Sequence, residues 1–183
     1  MLNFKGTKQL SKSILAILLV MVFTFVMATA AFASEALDNA NGNIISHSET
    51  WVTPYKHVEV TVYDLGDGFT STEIITDEYG TGLQRASGTK TQKSTVEIKN
   101  GSAVAATITV SGTFSYDGSS AKVTDYSHSK SVKSGYTETS WSTNKGGSGL
   151  LSDAYVGASL TIKQTSTSKT YSGSAKVTCG KNG

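Results

Sequence analysis

The stretch Val104-Ala-Ala-Thr-Ile-Thr-Val-Ser-Gly-Thr-Phe-Ser-Tyr116 decides the reading of the chain. Its even positions are Val104, Ala106, Ile108, Val110, Gly112, Phe114 and Tyr116; its odd positions are Ala105 and then Thr or Ser throughout. A two-residue period means that successive side chains point to opposite sides, so this is a strand with one apolar and one hydroxyl-lined face. Gly112 interrupts the apolar row and predicts a bulge or bend. Asn100-Gly101 stands just before the stretch and Asp117-Gly118 just after it. Asn-Gly is the strongest two-residue hairpin signal, and Asp-Gly also favours a tight turn. A strand with one solvated face between two tight turns belongs to an antiparallel sheet.

The same period recurs outward. In Lys56–Leu65, Val58, Val60 and Val62 form one row, opposed by His57, Glu59, Thr61 and Tyr63. The first row is the expected inner one. Gly66-Asp67-Gly68 turns the chain into a return strand, Phe69–Thr76, and Asp77–Gly82 reads as a loop. Leu83–Lys90, Ser94–Lys99, Ala121–Ser129, Tyr136–Thr143, Ala154–Gln164 and Thr170–Cys179 are further strands. In Ala154–Gln164 the inner row is Val156, Ala158, Leu160 and Ile162; in the last strand Tyr171, Ala175, Val177 and Cys179 share a face. Lys145–Gly149 reads as a flexible loop. No window has the period of a long amphipathic helix, and no 20–50-residue repeat suggests a solenoid or propeller. About eight strands joined by Gly and Asp turns predict an all-β, antiparallel two-sheet sandwich, with a closed barrel as the alternative. A Cys–Trp–Cys signature is missing, so the likeness to an immunoglobulin fold is one of layering only.

The first 33 residues read as an address. Lys5, Lys8 and Lys12 precede an apolar run from Ile14 to Met27, and Ala31-Phe32-Ala33 supplies small residues at the exit. This is the pattern of a secretory signal peptide, cut after Ala33, with Ala30 as second choice. Ile14–Ala33 is just long enough to span a bilayer, but its Ala- and Thr-rich end favours cleavage over retention. No Cys follows the cut to carry a lipid, and Cys179-Gly-Lys-Asn-Gly183 is no hydrophobic tail. The expected product is secreted, with no stable membrane span. It comprises a flexible lead over 34–50, with a short strand at Asn43–Ser46, and one sandwich domain over 51–183.

Residues 34–183 contain 46 Ser and Thr and a single Pro, Pro54. Hydroxyl residues interleaved with Val, Ile and Tyr suit solvated strand faces, whereas a mucin-like stalk would need Pro. The full chain carries +2, of which +3 belongs to the leader, leaving −1. So small a charge gives no reason to expect a nucleic-acid partner. The −1 is itself uneven: residues 34–83 sum to −8 and 84–183 to +7. If the first hairpin stays on one side, the molecule is a dipole suited to head-to-tail association or to holding anionic wall polymers. Greek-key interleaving would instead mix the charges.

The leader, the Ser/Thr-rich strands and the stretch Val110-Ser-Gly-Thr-Phe-Ser-Tyr-Asp-Gly-Ser119 resemble small secreted β-sandwich proteins of Gram-positive bacteria. The resemblance covers the general plan and that one segment. It implies no activity and no residue role.

Candidate chemistry is sparse. His47, His57 and His128 are the three histidines, without a Gly-x-Ser-x-Gly elbow or a His-Glu-x-x-His motif beside them. His57 and Glu59 share a strand face, and His47 or a further carboxylate could complete an N/O metal set there. Asp64-Leu-Gly-Asp-Gly68 places Asp64 and Asp67 in a glycine turn, with Asp77 and Glu78 further on. Calcium uses such oxygen-rich loops, but a turn also needs Asp and Gly for its own backbone. No other cofactor is expected. The aromatic residues Trp51, Tyr63, Tyr126 and Tyr155 are the binding candidates, since an amphipathic ring can stack on sugars or proteins. Trp141 is expected in the core. Cys179 is expected buried at a strand end, with pairing to another chain as the alternative.

These features favour a non-enzymatic protein that binds or self-associates at the bacterial exterior. Its expected partners are wall polymer, carbohydrate or copies of itself. A secreted antibacterial or toxin-like protein is the alternative. A metal-dependent hydrolase using His57 and Glu59 ranks third.

Overall fold

In the computed structural model, which describes residues 42–80, 87–147 and 153–183, the two-residue periods become nine strands. They are β1 (Asn43–Thr53), β2 (Lys56–Gly66), β3 (Phe69–Tyr79), β4 (Gly88–Asn100), β5 (Ala103–Tyr116), β6 (Ala121–Val132), β7 (Tyr136–Gly146), β8 (Ala154–Gln164) and β9 (Thr170–Cys179). The leader and its cut, the start of the lead, residues 81–86, and the loop residues after Gly147 lie outside the described residues. Among the described residues no helix is long and apolar enough to cross a membrane.

Several boundaries differ from expectation. β1 extends well past the short Asn43–Ser46 strand. Ser94–Lys99 and the end of Leu83–Lys90 join as β4, because Lys90, Gln92, Ser94, Val96 and Ile98 keep one parity and nothing breaks the ladder with β3. The hairpin at Asn100-Gly101 closes one residue later: Asn100 pairs with Ala103, leaving Gly101-Ser102 as the loop, with Gly101 at φ 56°. A glycine in the first loop position is what such a two-residue turn requires.

The strands form two antiparallel sheets of six and three, in the orders β1-β2-β3-β4-β5-β6 and β7-β8-β9. Neighbours are consecutive in sequence, and neither sheet closes on itself among the described residues. The closed barrel is therefore set aside. Side chains from both sheets share one core: Val96 and Ile98 of β4 and Ile108, Val110 and Phe114 of β5 meet Val156, Leu160 and Ile162 of β8 and Val177 of β9. The predicted inner rows of β5, β8 and β9 are the buried ones. Phe69 of β3 stacks on Tyr171 of β9 with ring centroids 3.7 Å apart. Trp141 is only partly buried and packs against the margin of this core.

Two glycines mark where the sheets approach most closely. A Cβ on Gly112 would lie 2.8 Å from the Phe114 ring and 3.1 Å from Val177 Cγ2. A Cβ on Gly173 would stand 3.3 Å from Val96, Ile98 and Ile108. Gly112 keeps regular register with Gln92, and the ladder shifts only at the next pair, Thr113/Phe114, against β6. Its role is a packing slot rather than the predicted bend.

The parity of β2 is the main correction. Thr61 and Tyr63 are buried, whereas Val58, Val60 and Val62 are half-buried on the other face. The cause is cross-strand. The even row of β4 faces the small sheet, and pairing carries that parity to Phe69, Ser71, Glu73 and Asp77 of β3 and then to Tyr63, Thr61 and His57 of β2. Directly paired residues lie on one face. The small sheet packs on β4, β5 and β6 and barely reaches β3, so the same face stays open on β1, while Thr61 and Tyr63 of β2 and Phe69, Ser71 and Asp77 of β3 are buried.

Consecutive strand order also keeps the charge asymmetry apart. Described residues 42–80 hold seven acids and one Lys; residues 87–183 hold five acids and eleven Lys. The acids stay on one flank of the large sheet because β1, β2 and β3 are neighbours there.

Candidate functional site

This face of β1–β3 collects most of the chemistry-bearing side chains. Register sets them in rows: Trp51–His57–Asp77, Glu49–Glu59–Ile75 and His47–Thr61–Glu73. Along β1 and β2 the spacing of two brings His47, Glu49 and Trp51, and His57, Glu59 and Thr61, to the same side. His47 Nδ1 is hydrogen-bonded with Thr61 Oγ1 at 2.9 Å and lies 3.7 Å from Glu59 Oε1. Glu49 links the two histidines, with Oε1 3.2 Å from His47 Nε2 and Oε2 3.7 Å from His57 Nε2. On its other side His57 Nδ1 is 3.8 Å from Asp77 Oδ2, and Lys90 Nζ is 3.5 Å from Asp77 Oδ1.

Towards the small sheet the face becomes buried. Ser94 Oγ donates to Glu73 Oε1 at 2.9 Å, and the Tyr63 hydroxyl donates to Glu73 Oε2 at 3.3 Å. Burial raises the Glu73 carboxyl above its ordinary value against the opposing pull of those two donors. Burial, with the Glu73 charge, pushes Tyr63 up to about 12.

The opposite end is open and aromatic. Trp51 is 61% exposed. Its ring lies 4.9 Å from His57 and 6.2 Å from Tyr79, nearly parallel to the latter. Lys90 Nζ sits over Tyr79 at 5.4 Å. The result is an exposed indole with Glu49 and Glu59 in the next row of the same face, while Asp77 is buried between His57 and Lys90. Such carboxylates accept hydrogen bonds from hydroxyl or amine donors, while an indole offers an apolar face.

No protein family, curated protein or solved structure matches the chain.

The predicted site residues separate into groups. His57, Glu59 and Trp51 meet on this face, with Tyr63 at its buried end. Among the described residues no group of three His, Cys, Asp or Glu is placed to hold a metal ion. Asp64, near the end of β2, and Asp67, in the β2–β3 turn, lie apart from the face. Asp64 Oδ1 accepts the Gly66 N–H at 2.8 Å, while Asp67 takes φ 56° and pairs with Lys169 at 2.8 Å. Tyr126, 43% exposed, is on edge strand β6 under Lys145, 4.1 Å from its ring centroid. Tyr155 is half-buried on the outer side of β8, 5.0 Å from Lys176. His128 stands beside Tyr126 on β6. Cys179 is buried and unpaired, and burial raises its thiol.

A cleft of about 450 Å³ opens between the sheets at the other end of β2, lined by Asp64, Leu65 and Tyr171 among others. Asp64 Oδ1 there accepts the Gly66 N–H and the Tyr171 ring is buried, whereas Trp51 is open, so the aromatic face is the better-equipped site. Glu49, Glu73 and Tyr79 escaped the sequence reading. Carrying parity from β4 to β3 would have placed Glu73 and Tyr79, and carrying it on through β2 to β1 would have placed Glu49.

Proposed function

We propose that the chain is an exported, non-enzymatic two-sheet sandwich with immunoglobulin-like layering. In this reading it works at the bacterial exterior by binding a neutral or amine-bearing wall glycan or other polysaccharide along the β1–β3 face. The single observation behind this reading is the exposed Trp51 ring beside His57 and Tyr79, with Glu49 and Glu59 in the neighbouring row of the same face. A flat, open face suits a polymer more than a small molecule, which calls for a concave pocket. Its acids disfavour polyanions, so teichoic-type polymers belong to the lysine-rich remainder of the molecule.

Co-sedimentation with purified walls and insoluble polysaccharides tests the proposal. Wild-type protein is expected to bind, and Trp51→Ala to lose at least about tenfold in affinity, as for a central aromatic anchor. Lack of binding by wild type, or equal binding by the variant, would refute it.

A further inference from the structure

A second observation, independent of glycan binding, concerns the two edges of the large sheet. β1 pairs only with β2, and β6 only with β5, among the described strands. The strands are of matching length, 11 and 12 residues. Every residue of β1 is exposed, including Ile44, Ile45, Trp51 and Val52. β1 has no Lys and no Pro; its bulges fall near its two ends, at Ile44/Ser46 and Trp51/Thr53, leaving a regular run from Ser46 to Trp51 that carries one charge, Glu49. An edge of open amides and carbonyls carrying large apolar side chains is a template for another strand.

We infer that β1 is the docking edge for β6 of a second copy of this chain, so that the protein assembles head to tail by extending its six-stranded sheet. Two features select this pairing. First, the sheet alternates direction over six strands, so β6 runs opposite to β1. A copy displaced sideways, without inversion, therefore sets its β6 antiparallel to β1 and continues the alternation. Second, charge discriminates between partners. The β1 flank (residues 42–80) has seven acids and one Lys, whereas β6 and the turn after it contribute Lys122 and Lys133 against Asp125, with Lys130 already paired with Glu138 of β7. A symmetric β1–β1 contact would oppose two acidic flanks; β1–β6 joins opposite signs. The contact is heterologous, so it propagates rather than closing as a dimer.

Sedimentation velocity over a concentration series, on protein produced from the full-length chain, tests this with two exposed-edge variants. Ile45→Lys/Val52→Lys blocks β1, and Lys122→Glu/Ser129→Glu reverses β6. Wild type is expected to form species that lengthen with concentration and shorten in about 0.5 M salt, where screening is strong. Each variant alone is expected to be monomeric. Their mixture is expected to give a 1:1 dimer, because each retains the edge the other lacks. A monomeric wild type at all concentrations overturns the proposal. So does a dimer abolished by the β1 variant but untouched by the β6 variant, since that is the symmetric contact. Near-native circular dichroism of both variants ensures that loss of assembly is not loss of fold.

Discussion

Replacing Gly112 by Ala probes the contact between the sheets. The added Cβ would meet the fully buried Phe114 ring at 2.8 Å and Val177 Cγ2 of the other sheet at 3.1 Å. Overpacking of this kind costs about 1–3 kcal/mol. Relief of glycine's backbone entropy returns about 0.5–1 kcal/mol, leaving a net loss of about 1 kcal/mol or somewhat more. Val177→Ala removes two carbons from a site with no exposure, at about 0.8 kcal/mol each plus a cavity contribution, or about 2 kcal/mol. The space it leaves is next to the Gly112 slot, so the new methyl group and the displaced Phe114 ring can settle into it. The double variant is expected to lose less than the sum, with a coupling of about 0.5–1 kcal/mol. Urea unfolding measures this, with midpoints moving by about 0.5 M per kcal/mol at an m-value of about 2 kcal/mol/M. An unchanged or stabilised Gly112→Ala, or strict additivity, would refute the packing of β5 on β9.

Three further outcomes are expected. Folded Glu73 keeps its proton to a higher pH than the ordinary 4.5. The stability this group contributes is therefore present below that value and declines as pH rises through the raised one. Glu73→Gln keeps an acceptor for Ser94 and is expected to flatten urea midpoints measured between about pH 4 and pH 8; an unchanged pH slope would contradict this. Ser71 Oγ is buried without a hydrogen-bond partner, so Ser71→Ala is expected to stabilise by about 1 kcal/mol, and a loss of stability would argue against its isolation. Cys179, buried and with a raised thiol, is expected to resist alkylation until the protein is unfolded; rapid native labelling would contradict that.

The sequence made strands legible where one face is wholly covered. The even rows of β5 and β8 alternate cleanly because the opposing sheet buries every second residue. β2 misled for a related reason. Its valines form the more apolar row, yet which face is covered is decided by β4 and transmitted through pairing, and β2 itself lies beyond most of the small sheet. β4 reads as two strands in sequence because Lys90, Gln92 and Ser94 are polar residues in an inward row; their partners lie on other strands, such as Glu73 for Ser94 and Asp77 for Lys90. The candidate face was half visible: His57 with Glu59 follows from spacing alone, whereas Glu49, Asp77 and Tyr79 join them only through register. Asp64 and Asp67 show the converse, a carboxylate pair that suggests an ion in sequence but serves the turn and Lys169.

Amide chemical-shift mapping during titration with solubilised wall glycan distinguishes the β1–β3 face from every other surface of the molecule. The largest shifts are expected at Trp51, including its indole N–H, and at His57, Glu59 and Tyr79, with β8 and β9 unmoved. Shifts centred on Tyr126 or Tyr155, or at the Asp64–Tyr171 cleft, would contradict it.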